Sequence, residues 1–191
     1  YNERAQLPVV KSISLLPGQK SDLDQHIEYL GGVPVIIKVM GGSKGVGVMR
    51  ADSRESLKSI LDYVRTLDSM ILLRQYIPHD YYGRLVVVGD KVAGSHRTYS
   101  MDGEFRTNVP GNIEENKQGI VFSEEIQRVA VEAVRSTGVE LGGVDLLFVS
   151  ETEFYISEVN FPCGFTSTER IAEVDISSQI IDHLIKKANS V

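Results

Sequence analysis

Cysteine is almost missing. Cys163 stands alone in 191 residues, so no disulfide can close within the chain. That suits a reducing compartment, and a cytoplasmic location is expected. Long apolar runs are missing too: no stretch approaches the roughly 20 apolar residues that a membrane-spanning helix needs. No signal-peptide pattern is visible. The chain opens on Tyr1 rather than Met, so its natural start is expected upstream. Cationic runs are also lacking; the longest cluster, Lys186-Lys187, lies near the end of a predicted helix, where the dipole favours cations. With 20 Lys and Arg against 26 Asp and Glu, the net charge is −6, mixed along the chain. This argues against a nucleic-acid partner, because phosphate backbones are bound by concentrated cations. A membrane partner is not expected either. Internal repeats and low-complexity segments are absent.

What is present is ordinary for a globular protein: 42% hydrophobic and 24% charged residues. The length is enough for one sizeable domain or two small lobes. Strand-like and helix-like stretches alternate, which predicts an α/β or α+β architecture. Residues 7–15 are apolar and β-branched and end at the turn Pro17-Gly18. Ser21 is placed to cap a short helix ending at Gly31-Gly32. Residues 34–40 read as a strand, residues 41–47 as a glycine-rich loop and residues 46–50 as a returning strand. Asp52 and Glu55 have capping-box spacing before a helix to about Leu67. Residues 70–77 form another strand. From Arg84 the texture changes to hairpins: residues 85–88 and 91–99 around Gly89-Asp90, then Asp102-Gly103 leading into residues 104–108. Ser123 caps a helix to Gly138. Residues 143–149 and 154–160 read as paired strands. Asp175 caps a last helix with Ile176, Ile180, Ile181, Leu184 and Ile185 on one face. A boundary is expected near residues 78–83, with a small lobe over 1–80 and a larger, more antiparallel lobe over 81–191.

The paired strands are the most informative segment. If they are antiparallel about a turn at Glu151-Thr152, Asp145 faces Glu158, Leu147 faces Ile156 and Val149 faces Phe154. Asn160 then shares the face of Glu158. Like charges directly opposite destabilise a sheet. A hard divalent cation, which prefers carboxylate and carbonyl oxygens, would compensate. Hairpin geometry alone leaves open a metal site or a solvated edge.

The run Gly41-Gly42-Ser43-Lys44-Gly45-Val46-Gly47 lets backbone N–H groups surround an anion, although it fits neither the Walker A nor the kinase pattern. Alone, such a loop is a flexible turn more often than a phosphate site. Lys38 lies just ahead of it in an apolar strand, either to reach a phosphate or to snorkel to water. Arg84, Arg97 and Arg106 fall in strand-like stretches, with Asn108 two residues beyond Arg106. Singly each reads as a surface residue; together they suit an anionic substrate or transition state.

In this order the pieces resemble the ATP-grasp superfamily, and within it the RimK-like ligases of the ribosomal-protein glutamate ligase type. The matching stretches are residues 34–38, 41–48, Leu72-Leu73-Arg74-Gln75-Tyr76-Ile77, residues 84–90, Gly103-Glu104-Phe105-Arg106-Thr107-Asn108, Gly143-Val144-Asp145 and Glu158-Val159-Asn160. The set covers nearly the whole chain, and its order is more specific than any member.

The resemblance implies an α+β ATP-grasp fold of two lobes with ATP between them, and magnesium (or manganese) as the metal. It implies that Lys38 contacts the nucleotide phosphates, that the loop with Gly42, Ser43, Lys44, Gly45 and Gly47 closes over them, and that Gln75, Tyr76 and Ile77 bind adenine. Asp80 would hold the ribose in a shifted register. Arg84 and Arg97 would lie near the transferred phosphate with Asn108, and Asp145, Glu158 and Asn160 would bind metal. The activity implied is ATP-dependent joining of a carboxylate to an amine through an acyl phosphate, adding an amino acid such as glutamate to a peptide or protein C-terminus. The alternatives are a small-molecule amino-acid ligase of the lysine-pathway or glutathione type, or a nucleotide-binding module without turnover. A homo-oligomer is compatible with the family.

Some positions depart from the family pattern. Gln75 stands where an acidic residue is common, Asp80-Tyr81-Tyr82-Gly83 precedes Arg84 without the usual acidic spacing, Val109-Pro110-Gly111-Asn112 replaces basic residues, and Phe161-Pro162-Cys163-Gly164 follows Asn160. The family's N-terminal domain and early nucleotide-contacting lysine are not evident. Cys163 offers a redox or nucleophilic thiol on paper. With no His near it in sequence, it reads as a small loop residue.

Overall fold

The computed structural model describes residues 6–19, 22–41, 45–100, 104–106 and 116–190. They group into two units: residues 10–78 with 104–106, and residues 6–9 with 79–100 and 116–190. Both combine helices with an antiparallel sheet, so the fold is α+β, as expected.

In the first unit the strands are β1 (Ser12–Leu15), β2 (Val35–Val39), β3 (Val48–Ala51) and β4 (Ile71–Gln75), in the order β1-β4-β2-β3. Helices α1 (Leu23–Leu30) and α2 (Arg54–Val64) cover one face. Alternation along the strands sends Val35, Ile37, Ala51, Ile71 and Leu73 into a core with Leu30, Leu57, Leu61 and Val64. The opposite face carries Lys38, Arg50 and Arg74.

The caps fall one residue from their expected places. Asp22 caps α1, accepting from the N–H groups of Asp24 and Gln25 at 3.1 and 3.2 Å; Ser21 lies outside the described residues. Ser53 caps α2, with Ser56 completing a reciprocal box, while Asp52 pairs instead with Arg50. A serine hydroxyl at Ser53 reaches the Ser56 N–H directly, so the box needs no carboxylate.

The second unit holds β5 (Tyr81–Val88), β6 (Lys91–Tyr99), β7 (Lys117–Gly119), β8 (Leu141–Phe148) and β9 (Phe154–Asn160), in the order β7-β6-β5-β8-β9. Residues 7–9 join this unit: the Ile156 N–H donates to the Pro8 carbonyl. Helix α3 (Glu124–Ser136) packs on one face with Leu85, Val87, Val144, Leu146 and Phe148, where Phe148 stacks between Tyr81 and Phe122 at 4.7 and 5.2 Å. The other face meets α4 (Thr166–Ala172) and α5 (Ile176–Ala188) through Val86, Val88 and Ile176.

Three expectations are corrected here. Asp145 does face Glu158, but Leu146, not Leu147, faces Ile156, because Ser157 is an extra residue in a bulge. The phase of β9 shifts by one beyond it, so Phe148 rather than Val149 opposes Phe154. Helix α4 was not anticipated; it has no side-chain cap. On α5 only Ile176 is fully buried, while Ile181, Leu184 and Ile185 are each more than half exposed. Among the described residues no helix is long and apolar enough to cross a membrane.

Candidate active site

Strand pairing in the second unit sets four polar side chains in one row across the sheet: His96 on β6, Arg84 on β5, Asp145 on β8 and Glu158 on β9. Residues directly opposite in an antiparallel ladder share a face. This face is the one that α4 and α5 cover at its other end. The row exists because Arg84, Asp145 and Glu158 stand opposite one another on the face away from α3; the same face carries Val86 and Val88 farther along β5, while Leu85, Val144 and Leu146 enter the core with α3.

Arg84 Nη1 donates to both oxygens of Asp145 at 2.8 Å, and Nη2 lies 3.4 Å from the Gly164 carbonyl. Gly143 makes this possible. A Cβ there would lie 2.6 Å from the Arg84 guanidinium carbon, so the side chain crosses the strand only where none exists. The Asn160 amide donates to Asp145 Oδ2 at 3.1 Å and to Glu158 Oε1 at 3.4 Å.

Asp145 is 8% exposed. Burial pushes its carboxyl up to about 6; Arg84 opposes this and Glu158 reinforces it. Burial pulls the Arg84 guanidinium down, but Asp145 outweighs it and the net direction is upward. His96 is 4% exposed, and burial, with Lys117 and Arg84 nearby, pulls it down to about 4. Its Nδ1 has no hydrogen-bond partner among the described residues.

Two carboxylates converge here beside the Asn160 amide, and with that amide turned so that its oxygen takes the place of its nitrogen the three form a hard oxygen donor set of the kind magnesium takes. Among the described residues no cluster of three or more His, Cys, Asp or Glu could hold a metal by itself. The set fits a cation that completes its shell with phosphate and water oxygens, as magnesium does at nucleotide sites.

Arg97 is not brought to this row. It is opposite Gly83, on the α3 face, where its Nε and Nη2 donate to the Gln118 side chain at 3.0 and 2.8 Å and its guanidinium lies over Tyr81 and Tyr99. Asn108 lies outside the described residues. Cys163 sits half-buried against the α5 cluster, its thiol pushed up by burial, which leaves it as a packing residue.

The first unit carries the other expected residues. Lys38 lies between Val48 and Leu72 on the face away from the helices. Gly45 and Gly47 have φ of 76° and 80°, a region glycine enters freely, and the Gly47 carbonyl accepts from the Val39 N–H at 2.9 Å. Gly42, Ser43 and Lys44 lie outside the described residues. Gln75 ends β4 with its side chain turned toward α1, near Gly31. Tyr76 follows, with the Arg50 guanidinium 5.3 Å from its ring centre. Ile77 is buried. In the second unit Asp80 is exposed, and its carbonyl accepts from Ser100. Arg106 belongs to the first unit and is held by Glu104 in two contacts of 2.9 and 2.7 Å.

Sequence reasoning passed over Arg50, Arg74 and His96. Their signal was period-two spacing: Arg74 shares a strand face with Leu72, the partner of Lys38, and His96 is opposite Arg84.

Residues 4–184 match the model of the RimK-like ATP-grasp domain. A probable alpha-L-glutamate ligase of Picosynechococcus is 34% identical over 169 residues, covering 87% of this chain and 55% of its own length. The ribosomal protein bS6–L-glutamate ligase of Escherichia coli O81 is 30% identical over 187 residues, covering 96% of this chain and 60% of its own. The chain thus spans little more than half the length of these relatives. Among solved structures, the ATP-grasp ligase PsnB complexed with minimal precursor, Mg and ADP superposes with a TM-score of 0.69 at 21% identity, covering 98% of this chain and 56% of that one. The extent of the family match, taken with these relatives, places the chain in the RimK-like ATP-grasp domain family.

Proposed function

We propose that this chain is the nucleotide- and metal-binding part of an ATP-dependent carboxylate–amine ligase. The observation that carries the reading is the convergence of Asp145, Glu158 and Asn160 beside Arg84, all on one face of one sheet. Asp145, Glu158 and Asn160 would hold magnesium. When bound, magnesium ATP would supply the phosphoryl group that converts a carboxylate to an acyl phosphate with release of ADP, and attack of an amine on the acyl carbon would expel inorganic phosphate and leave an amide.

The residues have separable tasks. Arg84, fixed by Asp145 and crossing Gly143, presents a guanidinium that cannot lose its proton near neutral pH. It is suited to neutralise charge where phosphate oxygens develop it. Lys38, with the glycine-rich loop beyond it, would hold the nucleotide phosphates, and Gln75 to Ile77 the adenine. No side chain of the row is placed as a nucleophile, and none is required, because phosphoryl and acyl transfer of this kind rest on positioning and electrostatics. His96 is uncharged at neutral pH and has no proton to spare for acid catalysis.

For the acceptor, the name of the Escherichia coli relative points to a protein substrate and glutamate, and PsnB is known complexed with a precursor peptide. By that analogy the carboxylate is a peptide or protein C-terminus and the amine an amino acid such as glutamate. The test is ADP release by the full-length protein with magnesium ATP. Release that requires both a peptide carboxylate and glutamate supports the reading. Release that needs only free amino acids moves the substrate to a small molecule, and ATP binding without release under any pairing sinks the ligase assignment.

A further inference from the structure

Arg50 lies in β3 on the face of the sheet that carries Lys38. Its Nε pairs with Asp52 Oδ1 at 2.8 Å. The guanidinium carbon then lies 5.3 Å from the centre of the Tyr76 ring and 5.7 Å from that of Phe105. The Arg106 guanidinium is 6.0 Å from the same Phe105 ring and is itself tied to Glu104. Tyr76, Arg50, Phe105 and Arg106 therefore form a chain of cation–ring neighbours inside one unit. It joins the end of β4 to a segment that sequence alone placed in the other lobe.

We propose that Arg50 is a positioning residue for nucleotide recognition, holding the Tyr76 ring at the end of β4 and the Phe105-Arg106 segment in one arrangement. The inference rests on the reading of residues 75–77 as the adenine-binding hinge. Arg50 has little structural duty. Its side chain is 35% exposed, and its removal opens no cavity in the core. Flat guanidinium faces stack on rings in a way an ammonium does not reproduce. Without Arg50, Tyr76 and Phe105 lose their common partner, and a nucleotide must order them on binding, at a cost in affinity.

The test is a double-mutant cycle on nucleotide affinity in the full-length protein, with a non-hydrolysable ATP analogue and magnesium as the titrant. Arg50→Ala and Phe105→Leu should each weaken binding by about fivefold, the scale of one or two exposed cation–π contacts. The double variant should bind more tightly than the product of the two losses predicts, because the Arg50–Phe105 contact is lost in both. The melting temperature without nucleotide should stay at the wild-type value in all three. Lys38→Ala serves as the reference for the underlying reading. If it abolishes binding while Arg50→Ala binds like wild type, the inference fails alone. If the two losses add, Arg50 and Phe105 act separately and the inference also fails. A fall in melting temperature that tracks the loss of affinity makes Arg50 merely structural. If Lys38→Ala binds like wild type, the nucleotide reading falls and takes the inference with it.

Discussion

His96 is a histidine buried beside two cations, Lys117 and Arg84, and its ring stays neutral down to about pH 4. In the unfolded chain the same ring titrates near 6.5. Between those values the unfolded state takes up a proton that the folded state refuses, so stability falls as pH drops from 6.5 to 4 and levels off below. The full effect is of order 3 kcal/mol at most. Denaturant melts of wild type and His96→Gln across pH 4–7 should show a shallower decline in the variant; parallel curves would contradict the assignment. At this scale the sequence was legible where alternation had a clear phase. Asp145, Glu158 and Asn160 shared a face as read. Arg97 lies on the opposite face of the sheet, because one step along a strand reverses the face. The phase of β6 depends on an irregularity opposite Val86 and Val87 that leaves Ala93 unpaired. His96, one residue earlier, takes the place beside Arg84 instead.

At the scale of elements, strand β8 carries a glycine whose absent side chain is filled by a guanidinium. Gly143→Ala should therefore displace Arg84 from Asp145 while leaving the strand paired. The displaced atoms are the far end of a flexible side chain, but the buried Asp145 carboxylate loses its partner, so the melting temperature should fall, by no more than breaking that ion pair costs, while turnover falls at least about tenfold, the scale of losing one well-placed electrostatic contact. Steady-state rates beside a melting curve check this; unchanged turnover would mean that the Arg84 pose is not needed. The hairpin of β8 and β9 was readable as a pair, and the Asp145–Glu158 contact fell where the turn placed it. Its outer register was not, since the Ser157 bulge has no sequence mark. Helix α4 escaped for lack of a capping side chain, and the apolar stripe of α5 described the helix but not its burial, which depends on what the neighbouring sheet can cover.

At the scale of the molecule, the order of motifs identified the family when no single motif did, and the match over residues 4–184 agrees. The central claim is that Asp145, Glu158 and Asn160 form the metal site for a nucleotide. The structure separates the two carboxylates in a way that sequence did not. Asp145 is the buried partner of Arg84, so Asp145→Asn should lower stability without ligand by a few kcal/mol, as breaking a buried ion pair does. Glu158 instead adds to the charge that raises the Asp145 carboxyl. Glu158→Gln removes that repulsion and should melt at or above the wild-type temperature. Magnesium ATP at 100 times its dissociation constant should stabilise wild type by about 2.7 kcal/mol. The most direct measurement is the melting of wild type and Glu158→Gln with and without magnesium ATP. The account predicts an equal or higher melting temperature without ligand and loss of the magnesium ATP shift in the variant. A variant that keeps the whole shift would show that the facing carboxylates are not the metal site.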